Sequence, residues 1–176
     1  GQGVMFHALV GAARVDSTYL SEAQTVAGLI QSNYWRTCGG YSGYNAGAGA
    51  CGDRYTDDNA WIALALLELH DITNNSTYLT RAQNTVAFCM AFENGPSNIP
   101  TGGIRWHESN TCGAAVCSTA PTCLANLILY QKTGTAAYLT NGLRLYNWLI
   151  SSGVQDASGN YHQGIKCDGT LNGGFR

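Results

Sequence analysis

Charged residues are scarce in this sequence. Its 176 residues include 9 Lys and Arg and 11 Asp and Glu, or 11% of the chain, whereas about 25% is usual for a globular protein. The formal net charge of −2 excludes the strongly basic surface that a nucleic-acid-binding protein needs. Because 45% of the residues are hydrophobic, the composition also excludes charge-rich disorder, and it favours one compact domain over residues 1–176.

Long apolar runs are absent as well. No segment approaches the roughly 18 apolar residues that a transmembrane helix needs. The first residues, Gly1–Met5, lack the basic stretch followed by an apolar one that marks a secretory signal peptide. We therefore expect a soluble protein without a membrane span, from which any signal peptide has already been removed.

Seven cysteines are more than a chain of this length usually carries in a reducing compartment. None lies in the Cys and His spacings that bind zinc, so we expect disulfides and neither a metal nor another cofactor. Cys38 and Cys51 bracket a Gly-rich loop, and a disulfide between them would remove roughly 3 kcal/mol of unfolded-state entropy. The other pairings stay open, because Cys89 and Cys123 lie in apolar patterns that suit buried free thiols equally well.

Two overlapping N-glycosylation sequons begin at Asn74 and Asn75, in the sequence Asn74-Asn75-Ser76-Thr77. They matter only if the protein is exported. The cysteine content and the low charge favour export. We therefore expect a secreted protein, extracellular or in the cell wall, that can carry an N-glycan on one of these asparagines.

A nine-residue motif occurs three times along the chain. Its tyrosines, Tyr19, Tyr78 and Tyr138, lie at intervals of 59 and 60 residues. Each copy follows an apolar stretch of helical length and opens an amphipathic one, so the repeating unit is a helical hairpin. The apolar stretches are Val4–Ala13, Ala60–His70 and Cys123–Tyr130, and the amphipathic stretches reach Trp35, Phe92 and Ile150.

The two helices of a hairpin differ in polarity. Residues 60–67 are apolar on every side, which a helix tolerates only when it is covered all round, whereas the following helix mixes Leu79 and Val86 with Arg81. We therefore predict that the first helix is inner and the second outer. Such hairpins bury their apolar faces by stacking into a curved solenoid or, with enough copies, a closed all-α toroid. Three copies would form an arc.

Gly-rich connections follow the outer helices, at residues 36–56, at 93–117 and from Gly153 onward. Loops longer than about 12–15 residues are more often functional than idle. Because all three follow outer helices, they should emerge at one end of the arc, where we expect a binding cleft. Ser118-Thr119 is expected to cap the third inner helix.

Two adjacent aspartates lie where a connection meets an inner helix, in Tyr55-Thr56-Asp57-Asp58-Asn59-Ala60-Trp61. If Thr56 is the N-cap, both aspartates lie in the first turn of the helix. Acids in a first turn stabilise any helix by about 0.3–1 kcal/mol each, so the pair has a purely structural explanation. The functional alternative is a glycosidase, which needs two carboxyl groups in different ionisation states, about 5–5.5 Å apart when configuration is retained. At a helix terminus facing a cleft, the dipole can keep one acid ionised while apolar surroundings keep the other protonated.

Three motifs resemble glycoside hydrolase family 76, the fungal and bacterial endo-α-1,6-mannanases. They are Tyr55-x-Asp57-Asp58-x-Ala60-Trp61, Tyr78-Leu79-x-x-Ala82 and Gly102-Gly103-Ile104-Arg105-Trp106. The resemblance implies an (α/α)6 toroid that binds mannan across one face and hydrolyses α-1,6-mannosidic linkages with retention of configuration and without a metal. By matching positions, it makes Asp57 the nucleophile and Asp58 the general acid/base. Since such a toroid needs about six hairpins, the chain would be its N-terminal half to two-thirds.

Tyr55, Trp106 and Gln163 are the candidate substrate-binding residues. Tyr55 adjoins the two acids, and Trp106 can either stack on a pyranose ring or anchor its loop on the barrel rim. Gln163 precedes Gly164-Ile165, a place where relatives of the family commonly carry an acid, so the absence of that charge could either alter the subsite preference or mark a branch with another substrate. The segment 112–121 also departs from the Lys-Asn-Ala-x-x-Asn pattern of many relatives.

The expected function is thus that of a secreted glycoside hydrolase acting on mannan. Two alternatives stay open at this point. One is a transglycosidase that passes the mannosyl intermediate to another cell-wall glycan instead of to water. The other is a non-catalytic glycan-binding protein on the same fold, which the altered segment 112–121 would suit.

Overall fold

The computed structural model of the protein describes residues 2–174. Three antiparallel helical hairpins follow one another along the chain, as the repeated motif predicts. Short turns join the two helices of each hairpin, and longer connections join the hairpins. The helices are α1 (Gln2–Val15), α2 (Leu20–Tyr34), α3 (Thr56–Thr73), α4 (Ser76–Met90), α5 (Val116–Thr133) and α6 (Ala136–Ser151).

The first helix of each hairpin lies on the inside of the arc. Helix α3 packs between α1 and α5, and each of the three also packs against its own partner helix. Ten residues of α3 are buried, including the whole run Ile62–Leu67. Met5 of α1 and Leu124 of α5 remain 77% and 49% exposed on the flanks of this layer. The all-round apolar character of α3 therefore reflects its place between two other inner helices.

The ends of the helices explain why one motif recurs. Asn74 and Gly134 end α3 and α5 in a left-handed backbone conformation, with φ of 52° and 67°. Asn75 then caps α4, because its side-chain oxygen accepts the Thr77 N–H at 3.0 Å. Asp16 makes the corresponding bond in the first hairpin.

The long connections contain short strands, which the sequence did not predict. The first connection forms a hairpin of β1 (Trp35–Cys38) and β2 (Tyr41–Tyr44). The second and third share an antiparallel sheet in the order β3 (Ala114–Ala115), β4 (His162–Ile165), β5 (Leu171–Gly174). Gly164 in β4 is required for this pairing, because a Cβ atom there would lie 2.0 Å from the Ala114 carbonyl oxygen.

The arc is stabilised by a small hydrophobic cluster around Phe88 and Phe92 and by two main clusters. The larger lies among the first four helices, around residues such as Leu66 and Val86. The smaller lies beneath the sheet and α6, around Ile104 and Leu145. Helix α5 contributes to both clusters and so joins them. Among residues 2–174, no helix is both long and apolar enough to cross a lipid bilayer.

Two disulfides tie down the connections. The predicted bond between Cys38 and Cys51 is present within the first connection. A second bond, between Cys112 and Cys167, joins the second connection to the third across 55 residues, and the sequence had left this pairing open. Three thiols of the described chain remain free: Cys89, Cys117 and Cys123.

Candidate active site

The start of α3 is held by a buried arginine. Arg54 is fully buried, and its guanidinium donates to both carboxylate oxygens of Glu108, at 3.0 and 2.6 Å. It also donates to the backbone carbonyls of Arg36, Cys38 and Tyr41 in the first connection. Because all of its charge is matched by oxygens from two connections, Arg54 fixes the backbone directly before the acid pair.

Thr56 does not act as the helix cap that the sequence suggested. Tyr55 occupies the N-cap position in an extended conformation, without a side-chain cap, and Thr56 is the first residue of α3. The Thr56 hydroxyl lies 2.9 Å from the Trp106 carbonyl oxygen and 2.8 Å from Ser118 Oγ. That prediction was wrong because the hydroxyl binds a distant segment, which places Trp106 beside the acids.

Asn59 links the first connection to α3. Its side-chain oxygen accepts the Tyr44 N–H at 2.7 Å, and its amide nitrogen lies 2.9 Å from the Tyr44 carbonyl and 2.8 Å from the Tyr55 carbonyl. Asn59 is fully buried, so these bonds replace water for both backbone groups of Tyr44. The hairpin of β1 and β2 is thereby held against the acid-bearing turn.

The third inner helix begins earlier than predicted. Its first residue is Val116 and its N-cap is Ala115, so Ser118 and Thr119 lie within the first turns and do not cap it. The Thr119 hydroxyl accepts the Ile104 N–H at 2.9 Å. It also donates to the Ala115 carbonyl oxygen, at 2.8 Å. The two hydroxyl residues are buried and bind neighbouring segments, which is why residue type alone misplaced them.

Asp57, the second residue of α3, is partly buried. Its Oδ1 accepts the Asp58 N–H at 2.9 Å, and its Oδ2 accepts the Trp106 Nε1–H at 3.1 Å. Burial raises the pKa of Asp57, and the nearby charge of Asp58 raises it further. The hydrogen bonds from Trp106 and from the Asp58 N–H lower the pKa but do not cancel this shift.

A cavity of about 440 Å³ adjoins Asp57. Its walls come from the starts of α3 and α5, the second connection and the hairpin of β4 and β5. The disulfide between Cys112 and Cys167 lies in this wall. The volume is within the usual range for ligand sites. The residues that line this cavity with polar or charged side chains include Asp57, Trp106, Asn110, Gln163, Lys166 and Asn172.

Asp58 lines a different, smaller cavity of about 160 Å³, together with Tyr34, Asn45 and Tyr55. The Tyr55 ring meets the Trp106 ring edge-on, with centroids 5.3 Å apart. Tyr55 lines the small cavity and Trp106 the large one, so each cavity has one of the two rings in its wall. The two acids therefore line two different cavities, each bordered by one ring of this aromatic pair.

The five predicted site residues fall into two groups. Asp57, Trp106 and Gln163 lie around the larger cavity, and Asp58 and Tyr55 line the smaller one. Trp106 is 49% exposed, so a large part of its ring is free to contact a ligand even though its Nε1 is bonded to Asp57. Gln163 is exposed in β4.

Two glycines shape the segment that carries Trp106. Gly102 and Gly103 have φ of 75° and 73°, and Cβ atoms there would lie 2.9 and 2.6 Å from the Trp148 ring. Only glycine combines this left-handed backbone with so close an approach. The two glycines therefore let the start of the Gly-Gly-Ile-Arg-Trp segment pack directly against Trp148 of α6.

The segment after Trp106 is polar but forms no metal site. His107 Nδ1 lies 2.7 Å from Asp53 Oδ2, and the Ser109 hydroxyl donates to Asp53 Oδ1 at 2.7 Å. Burial raises the pKa of Asp53, but the Ser109 hydrogen bond and the His107 charge outweigh it and lower that pKa overall. Within residues 2–174, no group of three or more His, Cys, Asp or Glu side chains could hold a metal ion.

The predicted glycosylation residues lie at the far end of α3. Asn74 and Asn75 are both exposed in the turn between α3 and α4. An 18-residue helix is about 27 Å long, which separates this turn from Asp57. A glycan on either residue would therefore leave the cavities open.

Sequence reasoning missed several residues that build the site. Arg54 was not singled out, although an isolated base in a Gly-rich connection is a signal that could have been used. Asn59 and Cys117 were not singled out either. Glu108 gave no signal of a supporting role, because its partner Arg54 lies 54 residues away along the chain.

Comparison with known proteins agrees with this architecture. A family model described as "Glycosyl hydrolase family 76" matches residues 1–173. Among solved structures, a family 76 α-mannanase from Bacteroides thetaiotaomicron is 25% identical with a TM-score of 0.85, covering 97% of this chain and 48% of that one. A family 76 glycoside hydrolase from a bovine strain of the same species is 28% identical with a TM-score of 0.83, covering 100% and 38%.

A third solved structure is more distant in sequence. It is an inactive variant of an α-1,6-mannanase from Salegentibacter sp. HEL1_6, with two consecutive aspartates replaced by asparagine, in complex with α-1,6-mannotriose. It is 19% identical with a TM-score of 0.74, covering 96% of this chain and 46% of that one. The chain thus spans about half the length, or less, of these structures. No curated protein sequence matches it.

Proposed function

The chain belongs to glycosyl hydrolase family 76, and from this premise we propose that the protein hydrolyses internal α-1,6-mannosidic linkages of mannan, using Asp57 and Asp58. The single observation that carries the proposal is the position of this pair. Both acids lie in the first turn of the most deeply buried inner helix, and each one opens into a cavity. Acids that only stabilised a helix terminus would need neither cavity.

Asp57 is assigned as the nucleophile. Its carboxylate attacks C1 of the mannosyl unit, forms a covalent ester and displaces the oxygen of the next sugar. The bonds from Trp106 and from the Asp58 N–H hold both carboxylate oxygens in place. Because the protonated carboxyl cannot attack, activity should be lost as the pH falls through the raised pKa of Asp57.

Asp58 is assigned as the general acid/base. It donates its proton to the departing glycosidic oxygen in the first step. In the second step it takes a proton from water, whose oxygen attacks C1 and releases Asp57. Two inversions at C1 give net retention of configuration. In this role each sugar bond broken consumes one water, and Asp58 returns to its protonated form.

The two cavities that the acids line support attack within a polymer. A chain bound across Tyr55 and Trp106 would have a cavity beside each of the two rings. An enzyme that removes terminal sugars needs a closed end beyond the scissile bond. The large exposed face of Trp106 suits stacking on a pyranose ring, and Gln163 and Asn110 offer hydrogen-bond partners for hydroxyl groups.

A protein of the same fold lends further support. The Salegentibacter variant that lacks two consecutive aspartates is inactive and was obtained with α-1,6-mannotriose. By analogy, the consecutive acids Asp57 and Asp58 are the pair in this chain whose loss should abolish catalysis while leaving substrate binding possible.

The test uses the complete protein, α-1,6-mannotetraose and yeast α-1,6-mannan backbone. Asp57→Asn should lower kcat by about 10⁴- to 10⁶-fold, and Asp58→Asn by about 10²- to 10⁴-fold. NMR of the first product should show the α-anomer, as expected for retention. Binding of mannotetraose, measured by calorimetry, should persist in both variants and shows that they are folded.

Other outcomes identify other functions. Wild-type-like turnover in either variant would remove that residue from the mechanism. Lengthened glycans among the products would identify a transglycosidase. Glycan binding without turnover in the wild type, unchanged in both variants, would identify a non-catalytic binding protein.

We further propose that the protein is secreted and that residues 1–176 are part of a single α/α toroid catalytic domain. The two disulfides and the exposed sequons at Asn74 and Asn75 suit an oxidising export route. Mass spectrometry of material from the native host should find a glycan at one of the two asparagines and no free thiol at Cys38 or Cys112.

A further inference from the structure

The proposed reaction gives no role to the pair formed by Asp53 and His107, whose side chains lie 2.7 Å apart. Both residues lie outside the linings of the two cavities at the acids. We propose that Asp53 and His107 are positioning residues for the reaction: Asp53 holds the His107 ring, and this ring holds the Trp106 side chain that donates to Asp57. The inference rests on the proposed role of Asp57 as the nucleophile.

One edge of the His107 ring is held by oxygen atoms. His107 Nδ1 lies 2.7 Å from Asp53 Oδ2 and 3.0 Å from the Ser109 hydroxyl oxygen. The Ser109 hydroxyl already donates its hydrogen to Asp53 Oδ1, at 2.7 Å, so the proton between Nδ1 and these oxygens belongs to Nδ1. His107 therefore donates to the carboxylate of Asp53, and its ring cannot turn without losing this bond.

The ring that Asp53 holds contacts both aromatic residues of the site. Its centroid lies 5.6 Å from the Trp106 ring, edge to face, and 5.2 Å from the Tyr55 ring. Tyr55 also meets Trp106 edge-on, so each of the three rings contacts the other two. Because Trp106 is 49% exposed, its orientation depends on the covered part of its side chain, where Tyr55 and His107 lie.

Backbone pairing brings the two segments of this network together. The Thr56 N–H donates to the Trp106 carbonyl at 2.9 Å, and Tyr55 lies opposite His107 in an antiparallel bridge. Asp53 is therefore close to His107, although the two lie in different connections. Their ion pair adds a side-chain link to the backbone bonds that join the segment before α3 to the segment of Trp106.

Trp106 transmits this support to the nucleophile. Its Nε1–H donates to Asp57 Oδ2 at 3.1 Å. Burial raises the pKa of Asp57, and the bond from Trp106 acts against this effect because it favours the ionised carboxylate. A Trp106 side chain that lost its support would leave the pKa of Asp57 higher and the carboxylate less well oriented.

Asp53 keeps its charge while Asp57 titrates. Burial raises the pKa of Asp53, but the Ser109 hydrogen bond and the His107 charge lower it overall, whereas the pKa of Asp57 is raised. A change in activity over the range where Asp57 gains its proton therefore reports on Asp57. The titratable or charged groups around Asp57 are Asp58, Cys89, Cys117 and, in the lining of the same cavity, Lys166. Those around the pair are Tyr55 and the mutually paired Arg54 and Glu108.

The experiment compares Asp53→Ala and His107→Phe in the complete protein, with α-1,6-mannotetraose as substrate. Both variants remove the bond between the pair, and phenylalanine keeps an aromatic ring at position 107. Each should lower kcat by about tenfold and move the acidic limb of the profile of kcat/KM against pH upward. Trp106→Phe, which removes the donor to Asp57 directly, should move the limb in the same direction.

A double-mutant cycle separates positioning from a general effect on the fold. In the Trp106→Phe background no Nε1–H remains to be held, so Asp53→Ala and His107→Phe should each change kcat by less than about twofold further. NMR gives a readout without turnover. The Trp106 Nε1–H signal, assigned by its loss in Trp106→Phe, should exchange with water several-fold faster in Asp53→Ala and His107→Phe.

His7→Phe is the matched control. His7 Nε2 lies 3.1 Å from Glu68 Oε2, and its ring lies 5.6 Å from the Trp61 ring, so the change removes a similar pair beside another tryptophan. His7 lies outside the linings of the two cavities at the acids. Its kcat and its acidic limb should equal those of the wild type.

The outcomes separate this inference from the proposed function. Wild-type kcat and limb in both Asp53→Ala and His107→Phe, with Asp57→Asn inactive, would overturn the positioning role and leave the proposed function standing. Equal losses with and without the Trp106 Nε1–H would mean that the pair acts on the fold as a whole, and the inference fails. Full activity in Asp57→Asn would instead remove the proposed function. Even then, unchanged exchange of the Trp106 Nε1–H in both variants would show that the pair does not hold Trp106.

Discussion

Helices α3 and α5 are neighbouring inner helices of equal length, 18 residues each, yet only one carries acids. Both begin from an extended residue without a side-chain cap, and both end on a left-handed one. At the second helical position α3 has Asp57 and α5 has Cys117; at the third, Asp58 corresponds to Ser118. The repeat thus supplies two similar helix starts beside one cavity, and the chemistry is confined to one of them.

The fourth residue has the same structural role in both helices. Asn59 accepts the N–H of Tyr44 and bonds back to the N-cap carbonyl of its own helix. Thr119 accepts the N–H of Ile104, and its hydroxyl donates to the carbonyl of Ala115, the N-cap of α5. In each case a buried polar side chain attaches the preceding connection to the helix. The comparison teaches that the attachment belongs to the repeat and the acid pair does not.

The segments before the two helices are held in different ways. Before α3, the side chain of Arg54 donates hydrogen bonds to oxygen atoms of two connections. Before α5, the corresponding residue Ala114 pairs through its backbone with Ile165 in β4. The acid-bearing helix start therefore depends on one charged side chain, and the other depends on a strand and on the disulfide beside it.

The largest effect should come from exchanging the second residues of the two helices. Asp57→Cys should lower kcat by about 10⁴- to 10⁶-fold, because the thiol lacks the ionised carboxylate. Adding Cys117→Asp restores the net charge but places the carboxylate on α5, and activity should stay lost. Rates on α-1,6-mannotetraose measure this, with Cys117→Ser as the control. Recovery of activity in the double variant would show that the two helix starts are interchangeable.

The next effect is on stability. Arg54→Met should lower the free energy of unfolding by about 3–5 kcal/mol, because it leaves Glu108 unpaired and three carbonyls without a donor. Chemical denaturation of the complete protein measures it. Ala114→Ser is the comparison before α5, at the position that corresponds to Arg54. It should lower the free energy of unfolding much less, because the backbone hydrogen bonds of β3 persist. Equal costs would mean that the side chain of Arg54 contributes no more than a strand residue.

A smaller difference should separate the two attachment residues. Asn59→Ala leaves both backbone groups of Tyr44 without partners, which should cost about 2–4 kcal/mol. Thr119→Ala leaves the Ile104 N–H unpaired and should cost about 1–2 kcal/mol. Thr25→Ala removes an exposed hydroxyl and should change stability by less than about 0.5 kcal/mol. Thermal denaturation ranks the three, and a Thr119 cost above that of Asn59 would contradict the ranking.

The smallest effect concerns the ends of the helices. Asn74→Gly should stabilise the protein by less than about 1 kcal/mol, because glycine adopts the left-handed conformation of this position without strain. The reverse change at the end of α5, Gly134→Asn, should destabilise by a similar amount. Denaturation midpoints measure both, and a loss of stability in Asn74→Gly would show that the asparagine side chain has a role beyond ending the helix.

Sequence reasoning predicts the hairpins and the acid pair because both are local signals. The helix positions follow from apolar periodicity and from a motif that occurs at the same place in each hairpin, and Asp57-Asp58 is visible as two acids before a buried helix. The shared left-handed geometry of Asn74 and Gly134 then explains why the motif begins directly after the inner helix in the second and third hairpins.

The supports of the site depend on pairs that lie far apart along the chain. Glu108 meets Arg54, and Cys112 meets Cys167, only after the hairpins have stacked. Thr56 has the residue type of a cap, but a carbonyl from the second connection is a nearer partner for its hydroxyl. The strands are two to four residues long and rich in glycine, so they lack the alternation that would reveal them.

The bond between Cys112 and Cys167 encloses α5 and α6 in one covalent loop. A protease that cuts once inside this loop, for example in the exposed turn at Ser158 and Gly159, would not release either fragment. The wall of the larger cavity would stay attached through sulfur after the backbone is broken. Only cleavage together with a reductant would separate the pieces, so gels run with and without reductant would differ for the nicked molecule.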